Sequence, residues 1–250
     1  MEWAAIIVIG AACGLLGGFL GKGGSAIATP LLAAVGVPPI VAVAAPLPAT
    51  IPGTLVAGRT YARAGFVEWA TVRGSIAAAV PAAIAGALAT RWIDASVLVL
   101  VTDAIVVVVG LRLAVHAGAD TDRRGLPITR GPRVPVIGAI VGAISGLLAN
   151  GGGFLLAPLF ITVLRFPVKF AFATSLTVAT VIAVPATITH AALGHLDWPV
   201  VAVFAAAAVP LSRVGARLAI RTESARLERL AGILLALIAG TLLVRELVVH

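Results

Sequence analysis

The chain has 250 residues, 60% of them hydrophobic and 11% charged, with a mean hydropathy of +1.12, whereas a soluble domain is about 45–50% apolar and about 25% charged. This composition excludes a soluble globular protein, and at about 20 apolar residues per crossing it supplies enough apolar sequence for about seven or more passes through a bilayer. The net charge of +8 and the pI of 11.4 do not describe a nucleic-acid surface, because the basic residues are scattered between apolar runs instead of forming one patch with aromatics.

The first apolar run, about 3–20, follows Met-Glu-Trp without the basic stretch of a cleavable signal peptide, so it is expected to remain as a helix. It carries Gly10, Gly14 and Gly18 at a spacing of four, a face suited to close helix packing. Its Cys13 is the sole cysteine, which excludes an internal disulfide and any Cys-x-x-Cys motif. Further runs are predicted at about 25–37, 40–58, 69–89 and 97–115, then at about 134–149, 153–164, 170–191, 199–219 and 230–249. Between the two sets lies His116 to Arg133, rich in Asp, Arg, Gly and Pro. The expected organisation is a first membrane repeat over 1–115, a cytoplasmic linker over 116–133 and a second membrane repeat over 134–250.

A shift of 128 residues places Gly10, Gly14 and Gly18 on Gly138, Gly142 and Gly146, Gly23-Gly24 on Gly151-Gly152, and Pro30 on Pro158. With one inserted residue, Gly65 falls on Gly194, Glu68-Trp69 on Asp197-Trp198, Pro81 on Pro210 and Gly86 on Gly215. This is the pattern of an internal duplication. Cytoplasmic loops carry excess Lys and Arg, and the bias alternates between equivalent loops. Arg59 and Arg63 mark one loop whose counterpart, Gly194 to Asp197, has no Lys or Arg; Arg165 and Lys169 mark a loop whose counterpart, Val37-Pro38-Pro39, has none. Equivalent loops are therefore expected on opposite sides, with the linker inside and the N-terminus outside. The fold class read from this is an all-α polytopic membrane protein of two inverted repeats, each of about five segments, an architecture of transporters that work by alternating access.

The second segment of each half is too short to cross comfortably, which favours re-entrant tips at Gly21-Lys22-Gly23-Gly24-Ser25 and Asn150-Gly151-Gly152-Gly153 over the ends of full crossings. Glycine there permits a tight turn and close backbone approach, and the short helices that begin at the tips point positive dipole ends toward a central region that would take an anion. Lys22 either serves that anion as counter-charge or snorkels to the surface. Asn150, its repeat mate, offers a neutral donor. Ala173-Thr174-Ser175-Leu176 supplies hydroxyls and Ala45-Pro46-Leu47-Pro48, its mate, supplies two prolines, so both are expected to interrupt their helices. Thr174 and Ser175 would then be further donors, or structural glue between helices. Asp103, an acid deep in an apolar run, and His190 are the proton-relay candidates, although Asp103 could equally pair with an Arg.

Enzyme motifs fail on spacing: Gly17 to Lys22 lacks the first glycine of a phosphate loop, and Gly142-Ala-Ile-Ser-Gly146 misplaces the serine of a nucleophile elbow. No metal or other cofactor is expected. The expected partners are a small anion and the lipid bilayer, with homo-oligomerisation left open. A non-transporting membrane scaffold and a passive anion channel are the alternative readings.

On both glycine turns, the prolines six residues beyond them, Ala173 to Leu176 and the two Gly-x-x-Glu/Asp-Trp stretches, the sequence resembles the sulfite exporter TauE/SafE family, and the resemblance spans nearly the whole chain. It implies a permease in a bacterial cytoplasmic membrane for sulfite, sulfonates or related organosulfur anions, coupled to the proton gradient. Ser25, Ala149 and Ala45-Pro-Leu-Pro48 depart from the family pattern.

Overall fold

The computed structural model describes residues 3–21, 25–94, 129–149 and 152–224, with a few isolated positions beyond 94 and 224. The segments predicted at about 97–115 and 230–249, with most of the linker, lie outside the described residues. Within them the chain is helical: α1 (Trp3–Leu20), α2 (Ser25–Ala34), α3 (Pro39–Ala44), α4 (Pro46–Arg63), α5 (Trp69–Ala89) with a 3-10 turn at Thr90–Trp92, α6 (Arg133–Leu147), α7 (Gly153–Thr162), α8 (Val168–Ala192) and α9 (Trp198–Arg221). Five stretches are long and apolar enough to cross a membrane, namely α1, α3 with α4, α5 with its 3-10 turn, α8 and α9. Helix is what a bilayer demands, since apolar solvent cannot satisfy an exposed peptide group. The protein is an all-α polytopic membrane protein.

The Gly-x-x-Glu/Asp-Trp stretches are helix punctuation. Gly65 and Gly194 take φ values of 79° and 73°, and they close α4 and α8 by donating to the Ala62 and Ala191 carbonyls, while the next residues donate to Tyr61 and His190. Three residues on, Glu68 accepts from Ala70 N–H at 3.0 Å and Asp197 from Val200 N–H at 3.2 Å, capping α5 and α9. Trp69 and Trp198 follow and are exposed, as interfacial aromatics are.

Two glycine faces set the packing. A Cβ on Gly10, Gly14 or Gly18 of α1 would strike the backbone of Phe204, Ala208 or Ser212 of α9; one on Gly138, Gly142 or Gly146 of α6 would strike Ser75, Ala79 or Ala83 of α5. The reverse contacts match as well, Gly215 meeting Leu15 and Gly86 meeting Ala143. Every residue in the first set maps onto the second by the 128- or 129-residue shift. Each interface joins a helix from one half to a helix from the other.

The same contacts give directions. α1 runs parallel to α9, and α6 parallel to α5. Thr174 near the start of α8 accepts from Glu68 N–H at 3.1 Å, and Lys169 Nζ donates to the Ile220 carbonyl at 2.9 Å, where a cation also meets the negative end of the α9 dipole. Thr71 reaches the Thr129 carbonyl at 3.4 Å. The ends of α1, α4 and α9 therefore share one face with the starts of α5, α6 and α8. That face holds Arg63, Arg130, Arg133, Arg165, Lys169, Arg217 and Arg221.

One expectation is overturned. α8 continues without interruption from Val168 to Ala192, so residues 173–177 are not a break. The Thr177 hydroxyl back-bonds to Ala173 one turn earlier, and the Thr180 hydroxyl lies 2.8 Å from both the Leu176 carbonyl and Thr54 Oγ1, so neither needs a break in the helix. Pro46 starts α4 instead, separating it from α3 at Ala45, which keeps helical dihedrals. The proline pair bends one helix and the hydroxyl run leaves its mate continuous.

Candidate functional site

The first glycine turn begins at Gly21, whose φ of 66° suits glycine and whose absent side chain leaves room for Phe172. Lys22, Gly23 and Gly24 lie outside the described residues, and Ser25 opens α2. Ser175, fully buried, points its hydroxyl at the Gly21 carbonyl at 2.7 Å and at Phe172 O at 2.9 Å. Its one proton is thus committed to holding the turn on α8. Thr174, also fully buried, accepts from Glu68. Ser175 positions the turn, and Thr174 ties α8 to the start of α5.

The second turn follows Ala149, the equivalent of Gly21, which takes φ 49° despite its side chain, at a cost of about 1–2 kcal/mol. Asn150 and Gly151 lie outside the described residues. Gly152, at φ 74°, is the N-cap of α7, a glycine with no capping side chain of its own; Gly153 is its first residue. Against Gly152 stands Ser145, whose Cβ and Oγ would each be 3.2 Å from a Cβ placed on the glycine. Ser145 is fully buried, and its hydroxyl has no hydrogen-bond partner among the described residues. An unpaired buried hydroxyl costs about 1–3 kcal/mol. Here it lies beside a helix N-terminus, where backbone donors and the dipole favour an anion.

The described ends of the two turns meet α8 at different levels. Gly21 meets α8 at Phe172 and Ser175, whereas Ala149 packs with Leu47, Ala183 and Ala186. Eight to fourteen residues of helix, roughly 12–21 Å at 1.5 Å per residue, separate the levels. Between the levels, α4 and α8 cross at a hydrogen bond from Thr180 to Thr54, Oγ1 to Oγ1, 2.8 Å long.

On one side of this crossing a small, partly open cavity is lined by Cys13, Gly17, Gly18, Thr50, Thr54 and Ser212, among others. Its hydroxyls all donate within their own helices, Thr50 to Pro46, Thr54 to Thr50 and Ser212 to Val209.

Each turn is also braced by a polar ring on the preceding glycine. Tyr61 donates to the Gly18 carbonyl at 3.4 Å, and His190 Nε2 lies 2.9 Å from the Gly146 carbonyl. Gly18 and Gly146 are equivalent, as are Tyr61 and His190. His190 Nδ1 lies 3.0 Å from Nδ1 of His195. Asp103, the other relay candidate, lies outside the described residues. Sequence reasoning missed Ser145, Tyr61 and His195 as site residues. Ser145 stood in a glycine-spaced helix without distinction, and the Tyr61 to His190 equivalence needs the inserted residue to be visible.

The family model for the sulfite exporter TauE/SafE family matches residues 6–242. The chain belongs to that family. Among curated relatives of this TauE/SafE chain, a "Probable membrane transporter protein YunE" of Bacillus subtilis (strain 168) is 24% identical over 242 residues, 87% of each chain. A "Probable membrane transporter protein" of Xylella fastidiosa (strain 9a5c) is 28% identical over 245 residues, 94% of this chain and 93% of its own. No solved structure matches. As a TauE/SafE family member, the chain is a multi-pass membrane transporter.

Proposed function

We propose that this transporter carries a small anion, such as sulfite, a sulfonate or a related organosulfur compound, across a bacterial cytoplasmic membrane by proton-coupled alternating access. The observation that carries the reading is the buried Ser145 hydroxyl, without a hydrogen-bond partner among the described residues, against Gly152 at the start of α7. A group that costs stability where it stands is explained by a ligand that completes it. The helix directions and shared glycine registers support two inverted repeats, and the basic face supports an orientation with that face inside.

In this scheme the glycine turns are two stations on opposite sides of the Thr54–Thr180 crossing, reached alternately. The moving bodies are the glycine-locked pairs α1 with α9 and α5 with α6, shifting against α4 and α8. Lys22 supplies fixed positive charge at the inner station, and Asn150, Gly151, Gly152 and Gly153 supply neutral donors at the outer one.

Proteoliposomes loaded with sulfite or methanesulfonate test the assignment. Lys22→Gln is expected to abolish flux while monodispersity and thermal unfolding stay as in the parent, and flux at the parental rate would overturn the role of Lys22. Absence of flux of every sulfur oxyanion and sulfonate by the parent protein, in either direction and with either pH gradient, would overturn the anion reading itself.

A further inference from the structure

We infer that His190 and His195 form a single proton-binding site, holding one proton between them, that charges the outer station and so admits the anion and the proton together. The inference rests on the anion reading above and assigns the coupling to named atoms.

The geometry fixes the tautomers. The Gly146 carbonyl can only accept, so His190 carries its proton on Nε2 and presents Nδ1 as an acceptor. His195 must then be the donor across the 3.0 Å Nδ1 to Nδ1 contact, with Nε2 left as the basic nitrogen. His190 is fully buried in the last turn of α8, while His195 sits in the following loop and is partly exposed. A proton arriving from water binds His195 Nε2. The proton on His195 Nδ1 can then pass to His190 Nδ1, leaving His195 neutral and His190 an imidazolium, with no atom displaced beyond that transfer. A second added proton would place two N–H groups, and two positive charges, face to face. The pair therefore holds one.

That proton lands beside the second turn: Gly146, which His190 touches, is next to Ser145 and three residues before Ala149. The first half has Tyr61 in place of His190 and carries Lys22 in its turn. One station has a permanent charge and the other a charge borrowed from solvent. The surroundings leave the pair in control. Among the described residues α3, α7, α6 beyond Arg133 and the first half of α4 contain no ionisable side chain; Arg91 and Asp94 follow α5, and Asp197 is engaged by Val200 N–H. Burial holds the His195 imidazole below the ordinary histidine value, so the empty pair is neutral near pH 7 and gains its proton as the anion arrives. Linkage then requires that anion affinity rise as pH falls, and that anion binding raise the pair's proton affinity by the same factor.

Imidazole ¹⁵N spectra of the full protein in nanodiscs test the pair without any ligand, and methanesulfonate, whose charge is constant in this range, tests the coupling. The expected result is joint titration of both rings with uptake of one proton, and a methanesulfonate affinity that strengthens by up to about tenfold per pH unit as pH falls toward that titration and levels off below it. In His195→Gln the His190 titration should move and the pH dependence of the affinity should move with it. Two rings titrating independently, each as its own one-proton site, would overturn the inference, as would a pH dependence of the affinity left in place in His195→Gln. A pair that titrates jointly in a protein binding no anion at any pH would overturn the anion reading and, with it, the coupling.

Discussion

A valine at Gly14 will separate α1 from α9 and leave little protein that survives extraction. The Cβ alone would sit 2.6 Å from the Ala208 Cα, and the obstacle is backbone, which cannot rotate away as a side chain can. Overpacking where side chains are free to adjust costs about 1–3 kcal/mol; forcing two helices apart adds the loss of the close contacts along the whole face, because Gly10 and Gly18 lose their partners as well. Gly142→Val should do the same at the α5–α6 interface, where the obstruction is Ala79. Gly53→Ala is the control, since its Cβ would find only Ser212 Oγ at 3.6 Å and Ser212 Cβ at 4.0 Å, ordinary contacts. Size-exclusion profiles and unfolding midpoints in detergent report the outcome. Gly14→Val behaving like Gly53→Ala would show that the glycine faces do not hold the bundle together.

Ser145→Ala is expected to separate stability from transport. Removing a buried hydroxyl that lacks a partner relieves about 1–3 kcal/mol of desolvation cost, so the unfolding midpoint should rise. Methanesulfonate or sulfite flux should nevertheless fall by tenfold or more, because a hydrogen bond to a charged ligand is worth about 1.5–3 kcal/mol. Ser75 provides the comparison. Its hydroxyl is likewise buried and unpartnered, but it lies at the α5–α6 interface opposite Gly138, so Ser75→Ala should leave flux at the parental rate. Equal flux in Ser145→Ala and the parent would remove Ser145 from the site.

Much of the helical frame was legible because bilayer helices are written in local rules. Apolar runs ended where Gly65, Gly194, Glu68 and Asp197 provide stops and caps, and a four-residue glycine spacing announced a packing face before its partner was known. The partner itself was not legible, since nothing near Gly14 names Ala208. Local chemistry also misled at residues 173–177, where hydroxyls that suggested a helix break turn inward to carbonyls of the same helix. For the site, the glycine turns stood out by composition, and Ser175 does touch one of them. Their separation along α8 did not, because it depends on where α1 and α6 meet that helix. Ser145 became distinguishable only when its hydroxyl could be seen to lack a partner, which is a property of its surroundings and not of its spelling.

The exchange of glycine faces between the halves has a consequence for biosynthesis. α1 is made well before α9, yet the surface its glycines fit belongs to α9, nearly two hundred residues later in the chain. Until α9 emerges from the ribosome, Gly10, Gly14 and Gly18 must face lipid or an insertion partner, while α5 and α6 can dock as soon as the latter is inserted. A later part of the chain therefore completes an earlier one. A ribosome stalled before α9 should leave α1 accessible to crosslinking and proteolysis, and a C-terminal fragment supplied in the same membrane should protect it.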